Sequence, residues 1–379
     1  MRVKAIKEEL TKIGVSTQDV FEKEDLVQRL FQARQNPPNQ TASSSPRTAT
    51  TSNRDVLEAP LYLVSLESGT RVAAVDGSNI AVEAKDHPYP AINIQVTNGN
   101  DEFSLKLLLD TACSGLVLRP SVVQKHNLPS LSTPVTMTGA AGVAGNTGLT
   151  QLDKFRLETQ TFGPLPAAVQ DIGALPSSLD GIIGLSFLNQ FEGADLDFQN
   201  GKILLYPKGR PLPEIPPDLT VVAEGQMSLL PSLGIYAVDA LFGGRGPVKM
   251  LVDTGASDSF LNWKGVSDLG LSRDSKALSR LPSPMGAVGS DAVAMELTHR
   301  IGLSSTLNLG SGGKQGLPLK EARRLTIDIG NIAILETLKN DNVGGILGID
   351  AFMRCDAARL AFQSDKQIQM LLNNAEATT

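Results

Sequence analysis

The spacing of hydrophobic and polar positions changes twice along the chain. Over residues 1–36, apolar residues recur at intervals of three and four, with a break before Phe21, which predicts two short amphipathic helices. Residues 37–54 are rich in Pro, Ser, Thr and Asn and lack large apolar residues, so a flexible linker is predicted. From Leu61, short apolar and β-branched runs alternate with Gly, Pro, Asn and Asp almost to the end, which predicts an all-β region.

The β region contains two copies of one sequence unit. The stretch INIQVTNGNDEFSLKLLLDTACSGLVL aligns with IYAVDALFGGRGPVKMLVDTGASDSFL, which places Asp110 over Asp253. Further on, DGIIGLSFLNQFEGADLDFQ aligns with GGILGIDAFMRCDAARLAFQ, which places Gly184 over Gly348. Because these landmarks follow in the same order, we predict a duplicated unit and a fold of two similar lobes.

The predicted organisation has a helical module, a linker, two lobes with a Pro-rich connection between them, and a short tail. In that order, the predicted ranges are 1–36, 37–58, 59–210, 211–232 for the connection between lobes, 233–372 and 373–379.

Composition narrows the classes of function. The net charge of −6 and the pI of about 5.3 supply no basic field that would favour nucleic acid or an anionic membrane. An apolar run of about 18 residues is not found, so we expect no transmembrane helix. The three scattered histidines favour no metal site, and no cofactor is predicted. Cys113 and Cys355 cannot form a disulfide framework and are predicted to be reduced thiols of an intracellular protein.

Each copy runs from an apolar strand directly into Asp-Thr and a small residue. A carboxylate at the end of a buried strand is costly unless it is paired or hydrogen-bonded. If the two copies are related by a twofold axis, Asp110 and Asp253 lie face to face and share one proton, because two close carboxylates do not both ionise easily. Such a pair can activate water with one carboxylate and polarise a carbonyl with the other.

These residues resemble a known family. VDTGAS at 252–257, with the later Ile346-Leu347-Gly348, is similar to the signature of pepsin- and retropepsin-type aspartic proteases. The first copy has Leu-Asp-Thr-Ala at 109–112 and Ile-Ile-Gly at 182–184, which resembles the same pattern. The resemblance implies an all-β, two-lobed fold, and hydrolysis of a peptide or protein substrate held between the lobes of a monomer. The site residues it implies are the catalytic Asp110 and Asp253, and the loop-supporting Thr111, Ala112, Thr254, Gly255, Gly184 and Gly348.

Two Gly-rich stretches occupy the place of the family's hairpin flaps. TGAAGVAG contains Gly139 and Gly142, and MGAVGSD contains Gly286 and Gly289. Either stretch is a candidate to close over substrate and exclude water. The choice between them stays open from the sequence.

The first Asp loop departs from the family pattern. Ala112 stands where the family has Gly, and Cys113 and Ala256 stand where pepsin-like enzymes carry a hydroxyl that bonds the carboxylate. Losing that hydroxyl predicts a raised pKa for the pair. Two interpretations stay open: a working aspartic endopeptidase, and a catalytically degenerate module that binds peptides or proteins. A dyad formed by the Asp253 loops of two molecules is unnecessary, because one chain carries both copies.

Residues 1–36 resemble a SAP-type helical motif. Seven Lys/Arg are balanced by six Asp/Glu within this stretch, which leaves little charge for neutralising phosphates. A protein partner is therefore predicted for this module in preference to nucleic acid. The N-terminal stretch does not have the apolar core of a secretory signal, so an intracellular or organellar location, including the plastid, is favoured over secretion.

Overall fold

A computed structural model describes residues 56–65, 71–73, 79–81, 88–138, 144–173, 175–288, 294–303, 305–310, 316–319 and 324–377. These residues belong to one compact unit, Arg54–Thr379. The predicted helical module, 1–36, lies outside the described residues. Among the residues described, no helix is long and apolar enough to cross a membrane.

The described part of the chain consists mostly of short strands. Strands β1–β27 are, in chain order, Leu57–Pro60, Tyr62–Val64, Arg71–Ala73, Asn79–Ala81, Tyr89–Asn98, Asp101–Leu109, Leu116–Leu118, Leu131–Thr138, Ala144–Leu152, Lys154–Leu157, Gln160–Phe162, Leu165–Val169, Gly181–Ile183, Phe191–Asp197, Lys202–Pro207, Leu219–Leu230, Ile235–Phe242, Arg245–Val252, Phe260–Leu261, Ser279–Val288, Ala294–Leu303, Thr306–Leu309, Leu317–Pro318, Leu325–Gly330, Val343–Leu347, Ala357–Ala361 and Gln367–Asn373. Helices α1–α6 are Pro120–Lys125, Leu185–Leu188, Trp263–Asp268, Ala333–Thr337, Ile349–Phe352 and Asn374–Ala377, and a 3-10 turn spans Lys339–Asp341.

Two large sheets carry the two lobes. The first has the order β11-β10-β5-β6-β13-β7-β12-β9-β8, with β2 paired to β5. The second has the order β1-β15-β14-β26-β27-β16-β17-β18-β25-β19-β24-β21-β20, with β22 paired to β17 and β23. Strands β14 and β15 of the first copy therefore join β26 and β27 of the second copy in one sheet. The predicted two-lobed all-β fold is confirmed.

Matching hairpins open the two sequence copies. Strands β5 and β6 pair in antiparallel register and turn through Gly99, whose φ is +60°. Strands β17 and β18 pair in the same way and turn through Gly243 and Gly244, with φ of +58° and +77°. Positive φ values fit the right-handed twist of a tight hairpin and are adopted by glycine without steric cost. The hairpins bring β6 and β18, and the Asp that follows each, to corresponding places.

The continuous apolar run before Asp110 reflects burial on both faces of the first sheet. Leu107 and Leu109 point into the main hydrophobic core, whereas Leu108 points into a second cluster that includes Val117 and Ile182. A strand with one wet face would alternate apolar and polar residues. The Leu-Leu-Leu run is therefore what a central strand with both faces covered requires.

Some elements cross the predicted domain boundaries. Residues 211–232, predicted to be a linker between lobes, contain β16, which pairs with β27 and β17. The Pro-rich first half of this segment favours a linker, but Val222 and Met227 in its second half are buried in the core. Strand β1 begins inside the predicted linker 37–58, and α6 lies inside the predicted tail 373–379.

Candidate active site

Each Asp loop is held by a strand that passes between the two strands flanking the loop. Strand β13 pairs in parallel with β6 and antiparallel with β7, and β25 pairs in the same way with β18 and β19. The backbone N–H of Asp110 donates to the carbonyl of Ile183 at 3.1 Å, and that of Asp253 donates to Leu347 at 3.0 Å. Both aspartates thus leave their strands at equivalent points of two equivalent lobes.

The glycines after these bracing strands touch the loop backbones. A Cβ built on Gly184 would lie 2.8 Å from the carbonyl oxygen of Gly115, and one on Gly348 would lie 2.9 Å from that of Ala256. Because real Cβ atoms are almost never found at such distances, a side chain at either position would push the loop away. The predicted supporting role of these two glycines agrees with this close approach.

Thr111 and Thr254 lock the two loops together across the lobes. Each backbone N–H donates to the hydroxyl oxygen of the other threonine at 3.1 Å. The hydroxyl of Thr111 then donates to the carbonyl of Val252, and that of Thr254 to the carbonyl of Leu109, both at 2.7 Å. Both side chains are buried, so these bonds form in a low-dielectric environment where each one counts more than it would in water.

The two aspartate side chains meet in the space that the threonines define. Their carboxyl groups are hydrogen-bonded to each other. Burial raises the pKa of Asp110 to about 6, against the lowering effect of N–H bonds from Ala112 and Cys113. Burial, and next the negative charge of Asp110, raise the pKa of Asp253 well above its usual range. The pair therefore holds one proton near neutral pH.

The sequence comparison agrees with this geometry. An aspartyl protease family model matches residues 93–187 and 238–311, so each matched segment contains one of the two aspartates. In both segments the chain is similar to the aspartyl protease family. Among solved structures, basic 7S globulin from soybean is similar, with 11% sequence identity and a TM-score of 0.45 over 84% of this chain and 95% of that chain. No curated protein sequence matches the chain.

Ala112 makes the two halves of this aspartyl protease site unequal. Its φ is not among the positive values of the described residues, so the alanine is accommodated without left-handed strain. The equivalent Gly255 packs directly on the carboxyl group of Asp110, since a Cβ built there would lie 2.5 Å from Oδ2. Position 112 carries a methyl group instead, so the two loops differ in composition at equivalent positions.

Backbone N–H groups bond to both carboxyl groups. Oδ1 of Asp110 accepts the N–H of Ala112 at 2.7 Å. Oδ1 of Asp253 accepts two N–H groups, from Gly255 at 2.9 Å and from Ala256 at 3.0 Å. The small residues after each Asp-Thr thus bring the backbone close to the carboxylate, as the sequence pattern predicts.

The second loop has an additional brace that the sequence did not indicate. Ser259 Oγ accepts the N–H of Gly348 at 3.0 Å and donates to Oδ1 of Asp350 at 2.7 Å. The first copy has Leu116 at the place of Ser259 and Ser186 at the place of Asp350. The sequence shows this difference between the two copies, but it does not reveal which residues Ser259 contacts.

A second missed group is Tyr89, which comes from the other lobe. Its hydroxyl is hydrogen-bonded to Ser257, two residues after Gly255, and the charges of Asp258 and Asp253 act on it. Tyr89 is the first residue of β5 and lies 21 residues before Asp110 in the sequence. Only its mismatch with Ser232, the corresponding residue of the second copy, distinguishes it in the sequence.

The candidate flaps are hairpins of the two sheets. Strand β8 pairs with β9, and β20 pairs with β21. Gly286 lies in β20 opposite Glu296. Gly139, Gly142 and Gly289 lie outside the described residues, so the choice between the two flaps stays a prediction.

Cys113 is a partly buried thiol beside the dyad. It packs against the second hydrophobic cluster, and its Sγ donates to the carbonyl of Gly115 at 3.4 Å. Burial, and next the charge of Asp110, raise the pKa of the thiol to about 12. A thiol with so high a pKa is a poor nucleophile, which fits a space-filling role.

Proposed function

We propose that this chain is an aspartic endopeptidase that hydrolyses peptide bonds with a water molecule activated by Asp110 and Asp253. One observation carries the proposal: two half-buried carboxyl groups, each at the end of an equivalent strand, are hydrogen-bonded to each other. Two carboxyl groups in this arrangement share one proton, so the pKa of one of them is raised, and such pairs are a known means of holding an acid and a base side by side.

In this proposal each aspartate has its own role. Asp110, which is ionised above about pH 6, accepts a proton from the water molecule while the water oxygen attacks the peptide carbonyl carbon. Asp253, whose pKa is higher, gives its proton to the carbonyl oxygen, so a neutral tetrahedral diol forms. Asp110 then protonates the leaving nitrogen, Asp253 takes a proton back from the diol, and the C–N bond breaks. The dyad is thereby returned to its starting state with one proton.

This assignment favours activity in mildly acidic to neutral solution. The base is available only when Asp110 is ionised, and the acid only while Asp253 is protonated. The rate should therefore rise as the pH passes about 6 and fall when Asp253 loses its proton. The missing hydroxyl at Cys113 and Ala256 supports the same conclusion, because one donor to each ionised carboxylate is absent.

The proposed substrate is an extended peptide segment of a protein. Hairpins on both lobes, β8–β9 and β20–β21, offer edges to which a peptide strand can add by main-chain hydrogen bonds. Both aspartates and both threonines come from one chain, so the proposed active form is a monomer.

A second candidate is a catalytically degenerate module that binds peptides in the same cleft. The feature that favours it is Ala112, which stands where the second copy has Gly255. If water is not held between unequal carboxyl groups, binding persists without hydrolysis.

Cleavage of an unbiased peptide library decides between the two candidates. Wild type, Asp110→Asn and Asp253→Asn are compared from about pH 4 to about pH 8. Asp153→Asn is the matched control, because this exposed aspartate bonds only to the side chain of Gln151 among its described contacts. We expect cleavage by wild type and the control, and at least about a hundredfold loss in each dyad variant.

Other outcomes point elsewhere. Peptide binding without cleavage by the wild type would support the degenerate module. Loss of activity in Asp253→Asn alone would contradict a dyad within one chain.

A further inference from the structure

We propose that Tyr89 is a positioning residue that holds the Asp253 loop in place from the opposite lobe. This inference rests on the proposed function for its catalytic meaning. Tyr89 acts on the half of the dyad that contains Asp253, which is the acid in the proposed reaction.

The contacts of Tyr89 lead directly to the carboxyl group of Asp253. The Tyr89 hydroxyl is hydrogen-bonded to Ser257, whose own hydroxyl donates to Oδ2 of Asp258 at 2.7 Å. Ser257 follows Ala256, whose N–H holds Oδ1 of Asp253. Fixing Ser257 therefore fixes the short backbone segment that supplies hydrogen bonds to the catalytic carboxylate.

Tyr89 is itself rigidly mounted on the first lobe. It is the first residue of β5, where it pairs with Val64 of β2. Its ring packs against the second hydrophobic cluster, which contains Leu108 of the strand that ends at Asp110. Burial and the charges of Asp258 and Asp253 raise the pKa of its hydroxyl, so the phenol stays neutral and remains a donor throughout the working pH range.

The second half of the duplicated fold does not repeat this arrangement. Ser232 is the residue of the second copy that corresponds to Tyr89, and its hydroxyl donates to Oδ2 of Asp341 at 3.3 Å. Ser114 corresponds to Ser257, and the chain that faces it is Gly234: a Cβ built there would lie 4.0 Å from the Cβ of Ser114. The Asp253 loop is thus contacted by a side chain of the other lobe. At the equivalent place, the Asp110 loop faces Gly234, which has no side chain.

The consequence for catalysis follows from the sensitivity of the reaction to geometry. A displacement of about 1 Å in a catalytic group costs on the order of a hundredfold in rate. Asp253 must present its proton to the substrate carbonyl, and its loop is held by Thr254, by Ser259 and, from the other lobe, by Tyr89. Removing the phenol hydroxyl should lower the rate of the chemical step and leave substrate binding almost unchanged.

The test is a double-mutant cycle on cleavage kinetics. Tyr89→Phe keeps the ring and removes the hydroxyl, Ser257→Ala removes its partner, and the third variant combines the two. Tyr62→Phe, on the neighbouring strand β2, is the matched control, because Tyr62 is 38% exposed. Each single variant should lower kcat about 5- to 20-fold with KM changed by less than about twofold, and the double variant should resemble the singles.

A measurement that does not need activity separates this inference from the proposed function. The carboxyl carbon of Asp253 is titrated by 13C NMR in wild type, Tyr89→Phe and Tyr62→Phe. When the loop is loosened, water reaches the carboxyl group, so the pKa of Asp253 should fall by at least about half a unit in Tyr89→Phe alone. If wild type cleaves no peptide, the proposed function fails while this titration still decides the role of Tyr89.

Three outcomes would overturn the positioning role. They are an unchanged Asp253 titration in Tyr89→Phe, additive losses in the double variant, and a raised KM with unchanged kcat. The last would make Tyr89 a residue that contacts substrate.

Discussion

Replacing Gly255 by alanine tests the close packing of the dyad. A Cβ at this position would lie 2.5 Å from Oδ2 of Asp110, whereas ordinary van der Waals contact begins at 3.4 Å. The carboxyl group must therefore move by about 1 Å, and such a displacement costs on the order of a hundredfold in rate. We expect Gly255→Ala to lower kcat/KM of peptide cleavage by about that factor, with kcat carrying most of the loss.

The control is a second Gly→Ala change in the other active loop. A Cβ at Gly115 meets no atom within 4 Å, so Gly115→Ala should stay within about threefold of wild type. Circular dichroism and thermal unfolding would show that both variants are folded. The reasoning is refuted if folded Gly255→Ala cleaves as fast as Gly115→Ala, because Asp110 would then tolerate the displacement.

Three further predictions concern charge and burial. Asp110→Asn should raise the free energy of unfolding by about 3 kcal/mol at pH 7, because the pKa of Asp110 rises from 3.8 in the unfolded chain to about 6 in the folded one. Urea unfolding at several pH values measures this gain. The gain should shrink as the pH falls from about 6 and vanish below about 3.8. Arg359→Met should lower the free energy of unfolding by about 3–5 kcal/mol, because it leaves buried Asp195 without the guanidinium that bonds it at 2.7 and 2.8 Å. The control is Lys202→Met, which removes the more exposed ion pair with Glu58 and should cost less than about 1 kcal/mol. Iodoacetamide should label native Cys113 at pH 8 about a thousandfold more slowly than the unfolded chain, as measured by peptide mass, and equal rates would contradict the raised pKa of this thiol.

The parts of the site that depend on short contiguous stretches could be predicted from the sequence. The order of apolar strand, Asp-Thr and small residue describes a local turn, and its repetition implies a twofold partner. Gly184 and Gly348 could be recognised for the same reason, since each stands at a constant place in its copy. The structure brings Asp110 and Asp253 together, as this reasoning requires.

Contacts between residues distant in the chain could not be predicted in the same way. Tyr89 contacts Ser257 because the two lobes pack against each other. Their packing depends on many contacts between residues that are distant in the sequence. Strand β16 was also missed, because its Pro-rich approach favours a linker while its partner strand β27 lies at the far end of the chain.

The pairing of β14 with β26 imposes an order on biosynthesis. Strand β14 ends at Asp197, but its neighbour on one side, Ala357–Ala361, leaves the ribosome about 160 residues later. At typical rates of synthesis, the wait is on the order of ten seconds. During that time β14 presents an open strand edge, a template for pairing with other chains. A chain truncated before Ala357 keeps that open edge permanently, and we expect it to aggregate more readily than the full chain.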